Sequence, residues 1–124
     1  MEKTRVAVIG LGSVAQLVHL PNLVKIKNAE ISALAEINKS RLTSVADKYE
    51  IKKRYSDYTQ LLNNDEIDAV IIATPTHLHK QMAIDCLSAG KDVLVEKPLA
   101  RNSSDGIEIL ECAKKHNRKL MVGM

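Results

Sequence analysis

The sequence predicts a doubly wound α/β domain, a mostly parallel sheet with helices on both faces. Three observations predict it. Short β-branched runs alternate with helix-period stripes along the chain, the pattern of strand–helix–strand crossovers. The run Ala69-Val70-Ile71-Ile72-Ala73 is continuously apolar, as a strand covered on both faces must be. No Gly/Ser/Pro-rich linker, low-complexity tract or internal repeat divides the 124 residues, a length that suits one hydrophobic core.

Taken in order, Arg5-Val6-Ala7-Val8-Ile9 reads as a buried strand. Val14, Leu17 and Val18 follow at i, i+3, i+4 and predict the inward face of a helix, which Pro21 should end or kink. A second strand covers residues 30–35. Asn38 then caps a helix whose stripe is Leu42, Val45, Ala46 and Tyr49. Residues 53–56 are short and polar, which suits an edge strand. Asp57-x-x-Gln60 resembles a capping box opening a brief helix with Tyr58, Leu61 and Leu62 inward. The fourth strand, residues 68–73, belongs near the sheet centre. Ala83, Cys86 and Leu87 mark the next helix, closed by Gly90 in the left-handed exit position, and residues 92–95 form the fifth strand. Ile109, Cys112, Ala113 and His116 make the last helix stripe, Asn117 takes a left-handed exit, and Leu120-Met121-Val122 is the last strand.

Composition excludes several function classes. Lys plus Arg number 18 and Asp plus Glu 15, a formal charge of +3 scattered along the chain, which argues against a polyanion partner. The densest basic stretch, Lys114, Lys115, His116, Arg118 and Lys119, sits at a helix end, where cations complement the carbonyl dipole. Three tyrosines, Tyr49, Tyr55 and Tyr58, are the only aromatics, so a base-stacking surface for nucleic acid is not expected. The apolar runs are far shorter than the ~20 residues of a membrane helix, and residues 1–5 lead into no cleavable leader. Cys86 and Cys112 fall in helical patterns as small apolar residues. A reduced, cytoplasmic setting is the expectation.

Chemistry concentrates where strands end. Gly10-Leu11-Gly12-Ser13-Val14-Ala15 is a G-x-G-x-x-A turn between the first strand and the first helix. Gly10 permits the tight turn, Gly12 clears the approach of a pyrophosphate, and Ala15 lets helix and strand pack closely. The helix N-terminus then offers free N–H groups to phosphates. Glu36, at the end of the second strand and 21 positions beyond Ala15, can accept both ribose hydroxyls of an adenosine. Its charge repels a 2′-phosphate and favours NAD over NADP, while Arg41 keeps NADP open by offering a phosphate partner. Without a ligand, Lys39 and Arg41 read as exposed residues in the first turn of a helix.

The fourth strand runs into Ala73-Thr74-Pro75-Thr76-His77-Leu78-His79, a loop at the edge where open parallel sheets bind ligands. Thr76 suits a helix cap or a ligand contact. His77-x-His79 lacks further ligands at supporting spacing, so no metal is expected, and one histidine near the cofactor fits better. The fifth strand ends in Glu96-Lys97-Pro98. A lysine in a partly desolvated cleft there can donate a proton or a hydrogen bond to a substrate oxygen, although on spacing alone such a triplet is more often an ordinary exit turn. His19 and His116, without partners at useful spacing, read as surface or packing residues.

Together, Ala7-Val8-Ile9-Gly10-x-Gly12-x-x-Ala15, Glu36, the segment 68–75 with His79, Ala89-Gly90-Lys91-Asp92-Val93-x-x-Glu96-Lys97-Pro98 and Leu120-Met121-Val122-Gly123 resemble the N-terminal domain of the Gfo/Idh/MocA oxidoreductases, the family of glucose-fructose oxidoreductase and inositol dehydrogenase. The resemblance implies a six-stranded Rossmann domain whose glycine turn holds NAD(P), with Glu36 on the ribose. It also implies that Thr74, Pro75, Thr76 and His79 line the cofactor, and that Lys97 stands by the nicotinamide and substrate with Glu96 in support. The family oxidises or reduces a carbon–oxygen centre of a sugar, cyclitol or related small molecule. Its members carry a second domain with further catalytic residues and commonly the dimer interface, so residues 1–124 are expected to be the dinucleotide-binding part of a longer, oligomeric parent. Alone they are expected to be catalytically incomplete and monomeric or weakly dimeric. The alternative is a module that binds NAD(H) as a sensor without chemistry, since fold does not settle function. Substrate identity is not legible in this stretch.

Overall fold

A computed structural model describes residues 2–123; Met1 and Met124 lie outside them. Strand β1, Thr4–Ile9, leads through the glycine turn into a π-helical stretch, Ala15–His19, and α1, Leu20–Lys25. β2 (Ala29–Ala35), α2 (Lys39–Lys48) and β3 (Lys53–Tyr55) complete the first half. A 3₁₀ turn, Tyr58–Leu61, precedes β4 (Ala69–Ile72), and a second, Thr76–Leu78, opens α3 (His79–Ser88). β5 (Asp92–Glu96), α4 (Ser103–Lys115) and β6 (Leu120–Gly123) follow.

The six strands lie in the order β3-β2-β1-β4-β5-β6, and all five pairings are parallel. Strand order therefore reverses between β1 and β4. Side chains alternate along β1: Val6 and Val8 join Leu20, Leu23, Leu34, Leu42, Val45 and Ile71 on one face. Ala7 and Ile9 join Val70, Ile72, Val93, Val95, Cys86, Leu87 and Ile109 on the other. Each fully buried Leu or Ile contributes about 2–3 kcal/mol by leaving water, so both faces stabilise the sheet.

Local rules account for the helix ends. Asn38 accepts the N–H of Arg41 at 3.0 Å and Asn102 that of Asp105 at 2.8 Å, capping α2 and α4. Gly90 (φ +85°) and Asn117 (φ 53°) make the left-handed exits expected of them. Lys91 N–H reaches Cys86 C=O at 3.0 Å and Arg118 N–H reaches Ala113 C=O at 2.9 Å, satisfying the last carbonyls. Glu50 (φ 56°) does the same for α2, an exit its side chain does not advertise. The basic stretch flanks the end of α4, where Arg118 donates to Gly90 C=O at 3.3 Å.

Three expectations are corrected. The stripe Val14, Leu17 and Val18 faces outward, with Leu17 76% exposed, and the buried positions are Ala15, Leu20 and Leu23. The wide turn over Ala15–His19 inserts a residue between buried positions and breaks the 3.6 period. Of the two outcomes expected at Pro21, an end is the one not seen: it takes a first-turn position of α1, where no N–H is needed, and the helix continues to Lys25 behind the wide turn Ala15–His19. Asp57 does not form a capping box, because its carboxylate accepts the N–H and hydroxyl of Thr59 at 2.9 and 2.8 Å, and Gln60 contributes its backbone N–H to Asp57 C=O at 3.1 Å.

Candidate functional site

β1 delivers the chain into Gly10 with φ +90°, a conformation open to glycine. A Cβ on Gly10 would lie 2.8 Å from both Ala73 O and Thr74 Cγ2, so the loop after β4 also requires its absence. Gly12 differs: a Cβ there meets nothing within 4 Å, leaving open space ahead of the helix N-terminus. Leu11 and Ala15 are buried beneath the turn, whereas Ser13 and Val14 are exposed on it.

Glu36 closes the turn from the end of β2. Its Oε1 accepts Leu11 N–H at 2.8 Å and its Oε2 accepts Asn38 N–H at 2.9 Å, with the side chain 6% exposed. Arg41 Nη1 stands 3.7 Å from Oε1. A carboxylate has about four lone-pair directions, so two remain for further donors. Arg41 is thus more than an exposed helix residue, since it lines the same cleft as Glu36.

That cleft holds about 340 Å³ and opens at the carboxyl ends of β1, β2 and β4, where strand order reverses. Gly10, Gly12, Glu36, Arg41, Thr74 and Pro75 line it, together with Ile37, Ser56, Tyr58, Leu78 and Met82, which sequence reasoning did not select. Tyr58 is turned by its hydrogen bond to Asp85 Oδ2 at 2.6 Å. Burial and then that carboxylate push its hydroxyl well above the ordinary tyrosine range. The one available sign was position, since Ser56 and Tyr58 follow the carboxyl end of an edge strand.

Thr76 and His79 are not among the lining residues. Thr76 makes no side-chain cap. His79 is buried beneath the loop, its Nε2 at 2.8 Å from Thr74 O and its Nδ1 at 2.9 Å from Pro98 O, while His77 is exposed. Among the described residues no three His, Cys, Asp or Glu side chains gather as a metal site would require.

The Glu96-Lys97-Pro98 turn extends from β5, and its Lys97–Pro98 peptide is cis. Lys97 is exposed, so this chain does not supply the partly desolvated surroundings expected of it. Glu96 is engaged elsewhere: its Oε1 accepts a hydrogen bond from His19 Nε2. His19 is accordingly corrected from an unpartnered residue to one half of a half-buried hydrogen-bonded pair. Seventy-seven residues separate the two, and no local spacing marks them.

A glycine-lined cleft at the switch point of a parallel sheet, with an acid from the end of the second strand in its wall, is the arrangement of a dinucleotide-binding domain. A family model described as an oxidoreductase family with an NAD-binding Rossmann fold matches residues 4–124. The chain belongs to that family, the Gfo/Idh/MocA oxidoreductases, and is an NAD(P)-binding domain of it. It is 34% identical over 119 residues to the myo-inositol 2-dehydrogenase of Thermotoga maritima, covering 96% of this chain and 35% of that protein. To the 4-carboxy-2-hydroxymuconate-6-semialdehyde dehydrogenase of Sphingobium sp. it is 35% identical, covering 96% and 38%. Its fold matches WlbA dehydrogenase from Bordetella pertussis in complex with NADH and UDP-GlcNAcA (TM-score 0.93, 25% identity, 98% of this chain and 37% of that one). It matches KijD10, a 3-ketoreductase from Actinomadura kijaniata in complex with NADP and TDP-benzene, equally well (TM-score 0.93, 30% identity, 98% and 37%). The chain spans about a third of the length of the relatives it matches. Among the described residues no helix is long and apolar enough to cross a membrane.

Proposed function

We propose that this cleft binds NAD(H) in preference to NADP(H), and that the chain is the cofactor half of an enzyme acting on a sugar, cyclitol or related small alcohol or carbonyl compound. The observation that carries the reading is the open space at Gly12 in the same cleft as a buried, ionisable Glu36 with spare lone pairs. Gly10, Leu11, Gly12, Ser13, Val14 and Ala15 form the phosphate turn, and the N–H groups of its helix end face the anion. Glu36 accepts ribose hydroxyls with the lone pairs not used by Leu11 and Asn38. Arg41, held beside Glu36, borders the adenosine end, and Thr74 and Pro75 wall the opposite side. Thr76, His79 and Glu96 act as neighbours of that wall and of the Lys97 turn.

When bound, the nicotinamide supplies the hydride chemistry. Lys97 is the catalytic residue proposed here, its Nζ exchanging a proton with the substrate oxygen. Further chain supplies the remaining desolvation, substrate contacts and subunit interface of a homo-oligomeric parent. Its setting is the cytoplasm, without nucleic-acid or membrane partners, and the two free thiols of Cys86 and Cys112 support that setting.

Calorimetric titration with NADH and with NADPH tests the reading, with Gly12→Val as control. NADH is expected to bind more tightly, and the valine, placed in the open space, to abolish binding. Preference for NADPH would transfer the adenosine end to Arg41, and binding unaffected by the valine would remove the glycine turn from the site.

A further inference from the structure

Lys97 is exposed, yet the residues on either side of it are not free. Glu96 is gripped by His19, a residue of the π-helical stretch that begins at the glycine turn. The two side chains are 22% and 13% exposed, and a Cβ on Gly123 would stand 3.2 Å from Glu96 Oε1, so the carboxylate packs against β6 as well as against His19. Pro98 is gripped from the other side by His79, the first residue of α3. That ring is 1% exposed and also contacts the carbonyl of Thr74, a lining residue of the cleft.

We propose that His19 and His79 are positioning residues for Lys97: they form a two-sided clamp that carries the placement of the two cofactor loops to the turn that bears its ammonium. The proposal rests on the reading of Lys97 given above. Each loop contributes one arm. The glycine-turn helix reaches Glu96 through His19, and the loop after β4 reaches Pro98 through His79, which touches Thr74 and Pro98 with opposite ring nitrogens. The ring reaches both carbonyls because its two nitrogens lie apart on one rigid frame, a span that a side chain with one terminal nitrogen cannot bridge. An exposed lysine carries its ammonium on a flexible stem, and holding residues 96 and 98 fixes the point from which that stem starts.

π-Helical turns recur where a helix presents a functional side chain, and here the wide turn ends at His19 itself. The two histidines hold the residues on either side of one exposed lysine, from helices that open at two different loops of the cleft.

The test uses this chain with its lysines dimethylated by ¹³C-formaldehyde, and Lys97→Arg to assign the Lys97 methyl signal. In the parent chain NADH is expected to displace that signal, while amide shifts of residues 10–15 report binding independently. His19→Leu, at a half-buried site that tolerates an apolar side chain, is expected to retain NADH binding and lose the displacement. His19→Gln keeps a donor for Glu96 and is expected to retain it. His79→Gln, whose two donors share one nitrogen and cannot reach carbonyls that face two separate ring nitrogens, is expected to lose it. Displacement unchanged in both His19→Leu and His79→Gln overturns the clamp. Loss in His19→Gln equal to that in His19→Leu also overturns it, because the hydrogen bond would then not be the cause. Absence of any amide shift with NADH in the parent chain is a separate result that overturns the cofactor reading instead.

Discussion

The carboxylate of Glu36 accepts the backbone N–H of Leu11 at 2.8 Å, tying the end of β2 to the middle of the glycine turn. One residue thus supports the glycine turn and lines the cleft. Glu36→Ala leaves the Leu11 N–H without its acceptor and is expected to cost about 2 kcal/mol in urea denaturation. The same substitution frees Arg41 from its partner and should move the NADH-to-NADPH affinity ratio toward NADPH, read by paired calorimetric titrations.

The two glycines of the turn should fail in different ways. Gly10→Ala meets both a φ of +90° and a backbone oxygen at 2.8 Å, so a loss of stability of roughly 2 kcal/mol or more is expected from thermal or chemical denaturation. Gly12→Val meets open space and should melt with the parent chain while binding no NADH. Equal melting of both variants would refute the distinction.

Asp68 carries a pH dependence. It accepts Arg5 N–H at 2.8 Å and pairs with the guanidinium at 3.0 Å, and the Arg5 side chain, then its backbone N–H, hold the carboxyl below its ordinary value of 3.8. Because the folded carboxyl binds a proton less readily than the unfolded one, its contribution is complete above pH ~4 and disappears as pH falls through the lower folded value. Asp68→Asn should therefore flatten the acid limb of a stability–pH profile, and an unchanged limb would assign that limb to other carboxylates. Both partners are more than a third exposed, which keeps the effect modest.

The cysteines should react unequally. Burial pushes the Cys86 thiol up to about 12, whereas Cys112 is half-buried near Ser88 Oγ. A disulfide reagent at pH 8 is expected to titrate Cys112 first and to reach Cys86 only in denaturant. Cys112→Ala should then leave a native protein that is nearly unreactive, and rapid labelling of that variant would show Cys86 to be accessible.

Much of this molecule was legible in the chain itself, where the governing physics is local. The order of strands and helices, the caps at Asn38 and the exits at Gly90 and Asn117 follow from rules that span a few residues. That Gly10, Gly12 and Glu36 share one cleft was legible because a dinucleotide-binding fold sets the spacing of its glycine turn and acid along the chain. The family match confirms the fold and the cofactor class read from those residues.

Folding in three dimensions decided the rest, because it depends on contacts without a sequence period. The outward turn of Val14, Leu17 and Val18 came from a wide helical turn that no 3.6-residue stripe encodes. Lys91 is buried with its Nζ donating to Asn64 C=O at 2.7 Å, and burial holds its pKa below the ordinary lysine value, although nothing in its neighbours along the chain announces a buried cation. His19 meets Glu96 and His79 meets Pro98 because parallel crossovers bring the carboxyl ends of β1, β4 and β5 to one edge. The chain states which chemistry is present, and the sheet determines which of those groups stand together, since side chains far apart in sequence meet only after the backbone has paid its ordering entropy.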